Sequence, residues 1–255
     1  MKKVVIVADD YGLLPCINRG IERAYLEGCV TEASLMIKAD YALDALKNAK
    51  VKNILNIGIH VELIGDKDLG RSVKTKDYIE LYKNKSEKEI ENLTRQELHE
   101  FEKLVGRPPT HITSHKGIHG NFKLLNVLVE YAKKNYIPVR KPNTDLEGDL
   151  EKSNYAVEMI IKRAGVQSTD HLIIHIKGND SSLIKDSILS DLKKVKDTET
   201  AEILTHPGYF DATLLKRSSL NYERSRDLDM LIDQKFIKSI KDLRFSIVSY
   251  KQLYD

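Results

Sequence analysis

Short apolar runs recur along the chain, with stretches of helical period between them. Val4 to Ala8 reads as a first strand, and a helix follows from about Pro15 to Glu27. Pro15 suits the first turn of that helix and Gly28 its end. Ala33 to Ile37 gives a second strand and Asp40 to Lys50 a second helix. In a third strand, Ile54 to His60, Leu55, Ile57 and Ile59 share one face, and Asn56, Gly58 and His60 the other. A polar insertion runs from about Glu62 to Glu89. Ile90, Leu93, Leu98, Phe101 and Leu104 then mark the apolar stripe of a helix that Gly106 and Pro108-Pro109 stop. Further strands are expected at His111 to His115, Ile137 to Arg140, Leu172 to Ile176, Ile203 to His206 and Phe245 to Ser249. Seven or eight strands alternating with helices imply an α/β fold with a parallel sheet. In 255 residues that means a closed or nearly closed, TIM-barrel-like β/α barrel. With no internal repeat or low-complexity linker, residues 1–255 read as a single domain carrying the insertion near 62–89.

Charge narrows the function. The formal net charge is only +3, and no basic run is interleaved with aromatics, which argues against nucleic acid as a partner. No run approaches the roughly 18 apolar residues of a membrane span. The apolar opening is about five residues long, shorter than a signal-peptide core, and ends at Asp9-Asp10. Cys16 and Cys29 form no C-x-x-C pair and read as the reduced thiols of a cytoplasmic protein. A small molecule is the expected partner, and a homodimer is left open.

In a barrel of parallel strands, chemistry gathers where the strands end. Strand one ends in Asp9-Asp10, strand three in His60, strand four in His115 and strand seven in His206. His119 lies four residues past His115, so four of the eight histidines fall at or just past strand ends. Asp9-Asp10-Tyr11-Gly12 has a plain reading as a turn, since Asp caps and Gly tolerates positive φ. Its functional reading is that one carboxylate binds a cation and its neighbour serves as base. Successive strand side chains point opposite ways, so that reading needs a bend, for which Gly12 gives a reason. His60 is either a hydrogen-bonded core histidine or a ligand, with Gly58 and Asn56 leaving room beside it. In Ser114-His115-Lys116-Gly117-Ile118-His119, His115 is the expected primary ligand and His119 approaches from the loop. Two imidazoles and a carboxylate leave water positions on a metal such as zinc. Pro207-Gly208 explains its own turn, whereas His206 is placed for acid–base work. His119, Tyr11 and His175 are the residues expected around a substrate.

These motifs resemble, in order and over nearly the whole chain, those of the YdjC-like carbohydrate deacetylases, the family of chitooligosaccharide deacetylase. The opening strand into A-D-D-(F/Y)-G is similar to Val4 to Gly12. N-x-G-I is similar to Asn18 to Ile21, and G-x-(V/L)-T-x-x-S-L-M to Gly28 to Met36. I-G-x-H is similar to Ile57 to His60, and P-T-H-(I/L)-D-S-H-x-H-x-H, incompletely, to Pro109 to His119. The H-P turn is similar to His206-Pro207. Tyr-x-x-R-x-x-(E/D)-L-x-x-L resembles Tyr222 to Leu231 in a shifted register. The resemblance implies an irregular β/α barrel related to polysaccharide deacetylases, with a magnesium or zinc ion on Asp10, His60 and His115. Asp9 is then the base and His206 the acid. Thr113 stands where the family has Asp, and Gly117 where it has its middle His. The first change removes a carboxylate partner for a ligand histidine and so weakens or retunes metal binding.

The activity expected is metal-dependent hydrolysis of N-acetyl groups on sugars or short oligosaccharides, releasing acetate, with the 62–89 insertion as a substrate loop or a solvated excursion. Two rivals stand beside it. A metal-dependent phosphoesterase barrel usually opens with H-x-H where this chain has two aspartates. A sugar-binding protein that has lost catalysis is compatible with Thr113 and Gly117.

Overall fold

A computed structural model describes residues 2–69, 72–141 and 150–254 of the protein. Seven strands lie among them: β1 (Lys2–Tyr11), β2 (Glu32–Leu35), β3 (Ile57–Val61), β4 (Ile112–Ser114), β5 (His171–Ile174), β6 (Thr200–Thr205) and β7 (Phe245–Ile247). Helices occupy most of the chain between them, as the alternating pattern predicts, and the class is α/β. The residues fall into two compact units, one of 1–35, 40–57 and 169–255, the other of 36–39 and 58–168.

In the first unit the order is β2-β1-β6-β5, with β7 also pairing β1, and every ladder is parallel. Val4 to Ala8 are wholly buried, which is why the first strand reads as an unbroken apolar run. Helix Pro15–Glu27 begins with proline in its first turn, where the missing N–H costs nothing, and packs on helix Tyr222–Ile232. Gly20 is required in that helix. A Cβ there would lie 2.4 Å from the Gly208 Cα, so only glycine lets the turn after β6 come this close.

In the second unit β3 and β4 pair in parallel. The strand expected at Ile137 to Arg140 is reduced to one bridge, Val139 with Ile112. Pro138 has no N–H to give a ladder, and the Val139 N–H bonds Gln167 O instead. The 62–89 insertion is not an open excursion. Apart from Gly70 and Arg71, which lie outside the described residues, it contains helices Asp66–Leu69 and Thr75–Asn84 and the start of Glu87–Val105. Ser86 and Glu89 form a reciprocal capping box at the start of that last helix, a signal that S-x-x-E carried in the sequence. Tyr78 is buried, and the Tyr82 hydroxyl donates to Ile118 O at 3.1 Å. Among the described residues no helix is long and apolar enough to cross a membrane.

Candidate active site

β1 does not run straight into its turn. It advances from Ala8 to Tyr11 while β2 advances only from Ala33 to Leu35, one residue fewer. The extra residue is a bulge at Asp9-Asp10, and Asp10 itself takes a left-handed backbone, φ 68°, with Gly12 following at φ 98°. The bend expected at Gly12 therefore starts two residues earlier. Asp is among the few residues that tolerate this region, and bulges re-aim side chains beside active sites. Both carboxylates are buried, 2% and 3% exposed. Asn18 pins the turn, its Oδ1 accepting the Gly12 N–H at 2.7 Å and its Nδ2 donating to Tyr41 O. The N-x-G motif thus serves the geometry: Asn18 holds one turn, Gly20 admits another.

Asp10 Oδ2 accepts from Arg224 Nη2 at 2.6 Å, with both side chains buried. Arg224 has two further buried donors, Nε and Nη1, without a hydrogen-bond partner. Its charge is thus committed to the carboxylate side of the site. The register Ala8 with Thr205 brings the chain out of β1 and β6 side by side, at Asp9 and His206. The His206 N–H is held by Asp227 Oδ2 at 2.9 Å. Asp227 is gripped by Arg226, whose guanidinium also donates to the carbonyls of His175, Ile176 and Gly178. Burial holds the His206 ring below the ordinary imidazole range; Asp10, Asp9 and Asp227 oppose this, and Arg224 reinforces it.

The imidazoles of the second unit are held differently. His60 is buried at the end of β3, with Nδ1 2.7 Å from Thr113 Oγ1, and that hydroxyl donates to Ile59 O at 3.2 Å. The Thr113 hydroxyl thus lies between the His60 ring and the Ile59 carbonyl. The loss of a partner expected from Thr113 is corrected: the hydroxyl takes that place. The room expected beside His60 at Gly58 is also filled, because a Cβ there would collide with the His111 ring at 2.3 Å. Beyond β3 the chain is clamped by buried Glu97, which accepts the N–H groups of Glu62 and Leu63, each at 2.7 Å. His115 is half-buried, with its ring centroid 5.7 Å from that of His60 and 6.4 Å from that of Tyr78. Lys116 and Gly117 then turn through left-handed conformations, a position that glycine fits and a histidine would strain.

Three residues expected around a substrate have partners within the fold. Tyr11, one step past the bulge, is fully buried, with its hydroxyl 2.7 Å from Ala45 O and 3.1 Å from Glu22 Oε1. His119 is buried, with Nδ1 bonded to Ser114 Oγ and Nε2 3.1 Å from Arg140 O, so both ring nitrogens are engaged. His175 pairs with Asp191 at 2.8 Å. Residues missed from the sequence are Asn18, Glu97, Arg224, Arg226 and Asp227. Arg224, Arg226 and Asp227 lie in the Tyr222 to Leu231 stretch, where the shifted register hid which arginine mattered.

Asp10, His60 and His115 each offer one ligand atom, and these atoms lie within 4.8 Å of one another, a group that can hold a metal ion. The donors fit such an ion. Arg224 engages Oδ2 of Asp10 and Thr113 engages Nδ1 of His60. Two imidazoles and one carboxylate leave open positions, as catalytic metal sites do.

A family model described as YdjC-like protein matches residues 3–242. A carbohydrate deacetylase of Clostridium beijerinckii is 27% identical over 98% of this chain and 100% of its own length. An Enterococcus faecalis V583 crystal structure, named as a candidate cellobiose-phosphate cleavage protein, is 25% identical with a TM-score of 0.81, covering 99% of this chain and 98% of that one. The polysaccharide deacetylase Bc1974 of Bacillus cereus shares the fold at 14% identity, with a TM-score of 0.52 over 98% of this chain and 92% of that one.

Proposed function

We propose that this chain, which belongs to the YdjC-like family, is a metal-dependent carbohydrate deacetylase. It removes N-acetyl groups from short N-acetylated saccharides such as chitooligosaccharides and releases acetate. The observation that carries the reading is the Asp10, His60 and His115 group, with a second buried carboxylate, Asp9, beside the first. The imidazole-rich donor set favours zinc or a similar ion over magnesium, which prefers oxygen ligands.

An acetamide is a poor electrophile and water a poor nucleophile. A divalent ion on Asp10, His60 and His115 supplies Lewis acidity toward the carbonyl and acidifies water. The protein's own groups move the protons. Asp9, set beside Asp10 by the bulge, accepts a proton from the attacking water. The water oxygen bonds to the acetyl carbon, the C–N bond breaks, and His206 protonates the departing nitrogen. His206 must carry that proton before the C–N bond breaks, although burial disfavours its charged form; the proton Asp9 takes from water replaces it, so each turnover consumes one water and yields amine and acetic acid. Asn18 holds the turn after the aspartates, Arg224 holds Asp10, and Asp227 holds the backbone at His206.

The test is acetate release from N-acetylglucosamine oligomers, run with bound metal measured. Acetate in proportion to metal content is expected. Metal uptake with no acetate from any N-acetylated sugar, or with phosphate released from phosphorylated sugars instead, would remove the deacetylase reading.

A further inference from the structure

Thr113 does more than fill space beside His60. Its Oγ1 lies 2.7 Å from His60 Nδ1 and donates to Ile59 O at 3.2 Å. Thr113 is fully buried and His60 is 2% exposed, so no solvent competes for either bond. A hydroxyl has one hydrogen. With that hydrogen on Ile59 O, the hydroxyl accepts from His60, and the proton of the neutral ring then sits on Nδ1. β3 and β4 pair His60 with Thr113 directly in register, so the geometry is fixed by the sheet and not by a mobile loop.

We infer that Thr113 is a positioning residue that locks His60 in the Nδ1–H tautomer, presenting Nε2 for metal through a neutral partner. The metal consequence rests on the reading of His60 as a ligand given above; the tautomer does not. A carboxylate at this place would draw the Nδ1 proton and make the ring a stronger donor, whereas a hydroxyl fixes orientation without that added basicity. The site is thereby set to bind its ion more loosely than a carboxylate-backed one.

Two measurements test this. In 15N-histidine spectra of the metal-free protein, His60 is expected to carry its proton on Nδ1. A proton found on Nε2 in the native protein overturns the inference, whatever happens to any variant. In competition titrations with Zn2+ alone, Thr113→Val is expected to lose about 10–100-fold in affinity, the usual effect of removing such a partner. Thr113→Ser should restore both affinity and tautomer, and Thr113→Asp should bind zinc more tightly than the native protein. Native affinity in Thr113→Val, or no rescue by serine, means that the hydroxyl is not the cause and overturns the inference. A native protein with His60 Nδ1–H but no zinc uptake overturns the metal reading and upholds the tautomer lock.

Discussion

The end of β1 and the end of β3 hold the proposed ligands by opposite means. At Asp9-Asp10 the backbone does the positioning: an extra residue in the strand, a left-handed aspartate and a buried ion pair to Arg224. At His60 the strand is regular, and the side chain is aimed by one neutral hydroxyl from the neighbouring strand. A carboxylate leaving water needs a compensating charge, because burying it alone is costly. A neutral imidazole needs only its tautomer settled. The acid side should therefore fail through charge and strain, the imidazole side through coordination.

The largest expected effect separates Asp9 from His115. Asp9→Asn should keep its metal while turnover falls by about 10²–10⁴-fold, the usual worth of a general base. His115→Ala should lose tight metal binding itself. Turnover assays and metal analysis on both proteins check this; native turnover in Asp9→Asn would return the base to another group.

Next comes the ion pair. Arg224→Met leaves Asp10 buried without its cation and should cost about 3–5 kcal/mol in denaturant unfolding of the metal-free protein. Added zinc should recover part of that loss, because it supplies the missing positive charge to the native state alone. Thr113→Val removes a neutral partner and should cost metal affinity with much less stability. Equal stability losses in the two variants would erase the distinction between the sides.

How much of this was legible follows the same division. The alternating runs showed the α/β class, and the strand ends at Asp9-Asp10, His60, His115 and His206 were readable because a polar residue ending an apolar run is a local signal. Tyr11 misled because it adjoins the aspartates, yet the bulge changes which way the next side chain faces, and no spacing rule announces a bulge. His119 was expected near substrate from its place in the loop past His115, but the turn at Lys116-Gly117 carries it inward to Ser114 and Arg140. Arg224 meets Asp10 across 214 positions of sequence, so nothing near either residue could point to the other. Thr113 was visible as a departure, but read as a loss because a hydroxyl's part depends on where its single hydrogen goes.

Packing behind the acid side gives the third test. Gly20→Ala puts a methyl into the Gly208 backbone and should destabilise the protein by about 1–3 kcal/mol, the usual cost of overpacking. The strain falls on the turn after His206, so activity should drop further than the lost folded fraction explains. A variant as active per folded molecule as the native protein would show that this turn tolerates displacement.

The smallest effect concerns His206, the one imidazole on the acid side. Burial lowers its pKa in the folded protein, whereas the unfolded chain protonates it near the ordinary value of about 6.5. Above that value neither state carries the proton, and the stability tied to the neutral ring is fully present. As pH falls below it the unfolded state takes up the proton first, so stability declines toward the lowered folded pKa. Denaturant unfolding of the metal-free protein between pH 8 and 5 should therefore show a loss on acidification that is shallower in His206→Gln. Parallel curves for the two proteins would mean that the Asp9 and Asp10 charges cancel the burial of the ring, and that His206 enters the reaction already able to hold a proton.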